Sequence, residues 1–192
     1  MRLHWEFWPY QLFYGPIYFR VVGDMIRSGH VAYMTAANPG FDIGAFIDYS
    51  KAEIQAALPQ NLVPRTLILA TSSERSLLGP RATQAYPIAD RNPKGLEAAL
   101  LAQDLGYPLI FKPDRGERGT AVSKVGDREQ ALAYLQRVPG PILVQEIAPG
   151  PAEFGLLYVR MPDAEHGAVA SVVIKEALSV MGNGEGSLDE LF

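Results

Sequence analysis

Residues 105–125 read LGYPLIFKPDRGERGTAVSKV, which puts a strand, a lysine and a glycine-bounded bend in immediate succession. YPLIFKP is apolar enough for a buried strand, and TAVSKV alternates with the two-residue period of a half-buried one. RGERG between them therefore reads as the tight turn of a hairpin. Lys112 stands at the end of the first strand, directly ahead of a loop whose backbone N–H groups can curl around an anion. Gly116 and Gly119 lack Cβ and permit positive φ, Thr120 adds a hydroxyl donor, and Lys112 brings a point charge suited to phosphate oxygens. Taken alone, the pattern is equally that of an ordinary hairpin turn carrying a solubilising lysine.

Downstream, DREQALAYLQRV predicts a helix capped by Asp127 and PILVQEI a strand. EFGLLYVRM and GAVASVVIKEAL read as two more strands joined by PDAEHG, followed by a glycine loop, MGNGEGS, and a helix just beginning at SLDELF. Upstream, GLEAALLAQDLG is a helix with Leu96, Ala99, Leu100 and Leu105 on one face and Gly106 as terminator. TLILA is a buried strand, and SSERSLLGPRATQAYPIADRNP reads as loop with one short helical stretch. Ser50 and Glu53 have the spacing of a capping box for the helix KAEIQAAL, which Pro59 stops. VAYMTA predicts a short strand before the turn-rich ANPGFDIGAF. IYFRVVGDMIRSG predicts a short helix ended by Gly29, while Pro9 and Pro16 argue against a regular amphipathic helix before position 16. This mixed order predicts an α+β fold.

The chain has 192 residues, enough for one ordinary domain or two small ones, and its 48% hydrophobic content can fill a core. Lys and Arg number 17 against 21 Asp and Glu, so there is no global basic field for nucleic acid or an anionic membrane. No cysteine is present, which excludes disulfides, thiolate catalysis and Cys-type zinc sites. That composition accords with a reducing compartment, and a cytoplasmic location is the expectation. The apolar N-terminus is broken by Glu6, Pro9, Pro16, Arg20 and Asp24 before reaching the ~20 residues of a membrane span. A single Arg2 and the lack of a small-residue cleavage site make it a poor signal peptide. HWEFWPYQLFYGPIYF reads first as buried packing, second as a partner interface and third as a membrane-facing patch. His4, His30 and His166 lie in no metal-ligand spacing.

A second signal follows in PILVQEIAPGPAEFGLLYV, where Glu146 ends one apolar strand and Glu153 begins the next across a Pro/Gly-rich link. The succession from LGYPLIFKP through the glycine loop, a helix and VQEI to the second glutamate resembles the central part of ATP-grasp enzymes, most closely their D-alanine–D-alanine ligase-like branch. The resemblance implies an N-terminal aromatic and pre-lid segment at 1–65, a lid subdomain of antiparallel sheet and helices at 66–147, and the start of an incomplete larger subdomain at 148–192. It implies ATP as cofactor. Lys112 resembles the lid lysine on the α- and β-phosphates, and the run Arg115, Gly116, Glu117, Arg118, Gly119 and Thr120 resembles the mobile phosphate loop. Gln145, Glu146 and Ile147 match the hinge where backbone and carboxylate read the adenine edge. Glu153 matches the acid on the ribose hydroxyls. An apolar strand with free backbone groups and a carboxylate acceptor suit those two tasks.

Lys51, in DYSKAEI, resembles the second phosphate lysine, although the family usually has an acid before it where Ser50 stands; a surface helix lysine is the competing account. Lys175, in VVIKEAL, is placed where the family often presents a basic residue to the transferred phosphate, a catalytic role set against that of an exposed strand lysine. MGNGEGS resembles a substrate-side loop or, equally, a plain linker. The family's magnesium ions need a carboxylate on one strand and a Glu-x-Asn pair on a later one, and no such segment follows Lys175. Glu176, Glu185, Asp189 and Glu190 lack that spacing. The chain thus reads as truncated, with a missing C-terminal half or self-association through an unpaired edge as the expected consequence. The function implied is the ATP-binding part of a ligase joining a small-molecule carboxylate to an amine through an acyl phosphate. The alternative is a non-catalytic nucleotide-binding or interaction module.

Overall fold

Strand alternation builds the larger of two units. The computed structural model describes residues 10–41, 44, 48–116, 119–150, 152–175, 181, 184 and 187, and the chain divides into Met1–Ile147 and Ala148–Phe192. In the first unit, helices α1 (Tyr10–Ser28), α2 (Lys51–Ala56), α3 (Pro80–Ala85), α4 (Pro93–Ala102) and α5 (Arg128–Arg137) accompany strands β1 (Thr66–Ala70), β2 (Ile88–Asp90), β3 (Leu109–Pro113), β4 (Ser123–Val125) and β5 (Ile142–Glu146). The strands form one sheet in the order β2-β1-β5-β3-β4. Every pairing is antiparallel except β1 with β2. The fold is α+β, as the sequence predicts.

Successive side chains on a strand point to opposite faces, so β1 and β5 each feed two cores, and β3 feeds one of them. Leu67, Leu69, Leu109, Phe111, Ile142 and Val144 pack on one face with Leu96 and Leu100 of α4 and Ala131, Tyr134 and Leu135 of α5. Ile68, Ala70 and Leu143 pack on the other with Ala52 of α2 and Ala82 of α3. Each fully buried leucine contributes about 1.5–3 kcal/mol of transfer free energy. Asp127 and Asn92 cap α5 and α4, accepting from Gln130 N and Gly95 N.

Several local expectations are corrected. Helix α1 spans 19 residues with Pro16 inside it, so the proline costs one backbone hydrogen bond without preventing the helix; Gly29 at φ 68° does end it. VAYMTA forms no strand: Tyr33–Ala37 is a 3-10 turn held by the Thr35 N–H and hydroxyl, both donating to Ala32 O. The stretch before α4 contains α3, the one short helical piece expected there, and in addition a 3-10 turn at Glu74–Leu77 and β2. Helix α4 stops at Ala102, and Asp104 at φ 48° takes the left-handed position assigned to Gly106. The turn between β3 and β4 spans residues 114–122 and is wider than a tight hairpin. The MGNGEGS loop and the SLDELF helix fall almost wholly outside the described residues, as do Glu176, Glu185, Asp189 and Glu190.

The second unit is a hairpin of β6 (Glu153–Val159) and β7 (Ala168–Lys175), antiparallel with an irregularity at Leu157/Tyr158. No described helix is long and apolar enough to cross a membrane.

Candidate functional site

Lys112 follows Phe111 by one residue, so the alternation that buries Phe111 under α5 sends Lys112 to the α2 face of the sheet. Gln145 shares that face, one step from the buried Val144. Lys112 Nζ donates to Gln145 Oε1 at 2.9 Å, and Gln145 Nε2 donates to Thr66 Oγ1 at 2.7 Å and to Gln55 Oε1 at 3.3 Å. A polar row thus runs across β3, β5 and β1 to α2. Burial holds the Lys112 ammonium below the usual lysine pKa, the like charge of Lys51 adds to the depression, and Asp114 opposes it.

Lys51 reaches this region from the first residue of α2. Its Nζ donates to Gly116 O at 2.7 Å and to Pro113 O and Asp114 O at 3.2 Å, so it sits against the opening of the glycine loop. Ser50 caps α2, its hydroxyl accepting from Glu53 N at 3.1 Å. The predicted capping box is only half present, because the Glu53 carboxylate accepts from Ala82 N at 2.7 Å. That contact explains Gly79. A Cβ there would lie 2.3 Å from Glu53 Cδ.

The glycines bend the loop as their chemistry allows, with Gly116 at φ 125° and Gly119 at φ 72°. Arg115 pairs with Asp48, its guanidinium 3.1 Å from the carboxylate. Thr120 is exposed. The far end of the loop is fastened by Tyr134, whose hydroxyl donates to Ala121 O at 2.7 Å. Arg118 and Glu117 lie outside the described residues.

Glu146, next to Gln145, points to the opposite face. Its carboxylate accepts from Arg65 N at 2.9 Å and Arg65 Nε at 2.8 Å. These bonds, the backbone one first, hold its pKa below the ordinary glutamate value. Arg65 also donates to the carbonyls of Gln103 and Asp104. Ile147 follows, partly exposed. In the second unit, Glu153 and Lys175 are cross-strand partners and form an exposed ion pair.

Lys51, Lys112, Gln145 and the Arg115–Gly116 opening of the loop therefore come together, and the Glu146 side chain stands apart from them. Sequence reasoning missed Asp114, which is buried beneath α2, and Thr66 and Gln55, which complete the row to Gln145. A cavity of about 530 Å³ lies on another side of α2, with Phe41, Tyr49, Leu78, Arg81 and Arg115 in its wall. Among the described residues, no three of His, Cys, Asp and Glu gather as a metal-binding group.

No family model and no curated protein sequence matches this chain. Among solved structures, it is similar to the RimK domain protein ATP-grasp from Sphaerobacter thermophilus, at 20% identity over 68% of this chain and with a TM-score of 0.36. The chain spans 39% of that protein.

Proposed function

We propose that this chain is the nucleotide-binding part of an ATP-dependent ligase that joins a carboxylate to an amine, or to a related nucleophile, through an acyl phosphate. The observation that carries the reading is that Lys51 Nζ sits on the Gly116 carbonyl at the opening of the loop that contains Gly116 and Gly119, while Lys112 stands near the end of the strand that leads into that loop. Two lysines beside one glycine loop, with backbone N–H groups free to curl inward, suit the phosphates of a nucleotide.

In this reading Lys112 and Lys51 hold phosphate oxygens and the Gly116–Thr120 segment folds over them. Lys51 would leave the loop carbonyls to do so, which loosens the loop as it receives the ligand. Gln145 keeps Lys112 aimed across the sheet. With the Glu146 carboxylate engaged by Arg65, the hinge contribution to adenine falls to the backbone around Glu146 and Ile147. Glu153 for ribose and Lys175 for the transferred phosphate would each require their mutual ion pair to open.

ATP supplies the phosphoryl group that turns a carboxylate into an acyl phosphate, which an amine then attacks with release of phosphate. Magnesium normally neutralises charge in such transfers, but the described residues do not offer a fitting ligand set, and the roles above involve nucleotide contacts alone. The test is titration of the chain, Lys112→Ala and Glu153→Ala with ATP; unchanged affinity in both variants sinks the assignment. ADP release on supplying carboxylate and amine separates the ligase from the non-catalytic nucleotide-binding module.

A further inference from the structure

We propose that Asp114 is a positioning residue for the phosphate site, seating the first turn of α2 so that Lys51 is delivered to the opening of the glycine loop beside Lys112. Its effect on ligand binding rests on the nucleotide reading above; the seating itself does not.

Asp114 is 1% exposed and directly follows the last residue of β3. Its Oδ1 accepts from Ser50 Oγ and from Ala52 N, both at 2.9 Å. Its carbonyl accepts from the Lys51 N–H at 3.0 Å and from Lys51 Nζ at 3.2 Å. Its own N–H donates to Pro141 O at 2.9 Å, just ahead of β5. One residue thus clamps Ser50, Lys51 and Ala52 to the strand end that carries Lys112. Lys51 lies far away in sequence from that strand, and α2 is too short to hold its own position by propensity. The seat of Lys51 against the end of β3 is therefore set by Asp114.

A second feature argues that the residue is kept for more than capping. Among the described residues, Asp114 Oδ2 is buried and has no hydrogen-bond partner, an arrangement that costs stability. Ser50 already caps Glu53 N, so α2 would begin at the same place without a carboxylate beneath it. What the Asp114 side chain adds is one acceptor shared by Ser50 Oγ and Ala52 N, which ties the start of α2 to the strand end that carries Lys112.

The test is a double-mutant cycle read by calorimetric titration with ADP, on the full chain, Lys112→Ala, Lys51→Ala, Asp114→Ala and the Lys51→Ala/Asp114→Ala double variant. Asp114→Ala is expected to weaken ADP about tenfold, the scale of one charge-assisted hydrogen bond, and to have no further effect once Lys51 is gone. Asp114→Asn keeps the Oδ1 acceptor and is expected to recover most of the affinity. Undiminished loss in the Lys51→Ala background overturns the inference, as does unchanged affinity in Asp114→Ala when Lys112→Ala weakens binding. If Lys112→Ala itself leaves ADP affinity unchanged, the nucleotide reading fails. Hydrogen exchange then decides the seating alone: the Lys51 and Ala52 amides should lose protection in Asp114→Ala, and retained protection refutes it. Should Asp114→Ala not fold, Ser50→Ala breaks the same clamp from the other side and is expected to weaken ADP through Lys51 in the same cycle; full additivity there counts against the proposal.

Discussion

Replacing Lys112 by methionine should separate folding from binding. The substitution removes an ammonium held in a half-buried position, desolvated and close to Lys51, and leaves an apolar side chain of similar length. Gln145 Oε1 loses its 2.9 Å donor, a cost of about 1–3 kcal/mol for a buried acceptor left unpaired. Relief of the desolvated charge acts in the opposite direction and is of similar size, so the net change in stability should fall within about 1 kcal/mol of zero. Nucleotide binding has no such compensation. Loss of one charge-assisted contact to phosphate is worth about 1.5–3 kcal/mol, or roughly 10–150-fold in ADP affinity. Urea unfolding and calorimetric titration measure the two quantities. The pH dependence supplies an independent check. Because the folded-state pKa lies below the unfolded one, the unfolded chain binds more protons between them, and this group makes stability rise with pH across that interval. The rise should vanish in Lys112→Met, and wild-type ADP affinity should fall as pH climbs through the depressed pKa. A variant that loses more than about 3 kcal/mol of stability yet binds ADP normally would refute the reasoning.

Two structural predictions accompany it. Gly79→Ala places a Cβ 2.3 Å from Glu53 Cδ and should cost about 1–3 kcal/mol by displacing that carboxylate from Ala82 N, measured by chemical unfolding. Arg91→Ala removes a 2.6 Å partner from the largely buried Glu74 and should cost about 3–5 kcal/mol. Burial raises the Glu74 pKa, but the Thr71 N–H, the Arg91 charge and the Thr71 hydroxyl together bring it below the ordinary value. Stability from this group is therefore present above the unfolded glutamate pKa and lost as pH falls through the folded one, and acid unfolding of Arg91→Ala should show a smaller contribution there.

What was legible in the sequence is what short-range chemistry determines. TLILA and PILVQEI read as strands because short apolar runs suit a two-sided core, and Ser50 and Asp127 act as caps through bonds three residues long. Lys112 and the glycine loop could be nominated because strand end, charge and φ freedom are local properties. Strand β2 is not legible in the sequence because three residues, IAD, have no period, and become a strand only by parallel pairing with β1. Pro16 argues locally for a helix stop, yet α1 runs through it with the loss of one backbone hydrogen bond. The face taken by the Glu146 carboxylate follows from the register of β5, which its sequence spacing from Glu153 does not reveal. Asp114 looked like a turn residue, since its partners Ser50 and Ala52 approach only when α2 packs on the sheet.

The central claim is that Lys51 and Lys112 meet a nucleotide's phosphates. An ATP acyl phosphate reagent transfers its acyl group to lysines that lie against the phosphate chain, and peptide mass spectrometry then locates the label. The account predicts labelling at Lys112 or Lys51, suppressed by excess ATP, with Lys94 labelled weakly and without competition. Equal labelling of all three lysines, unaffected by ATP, would contradict it.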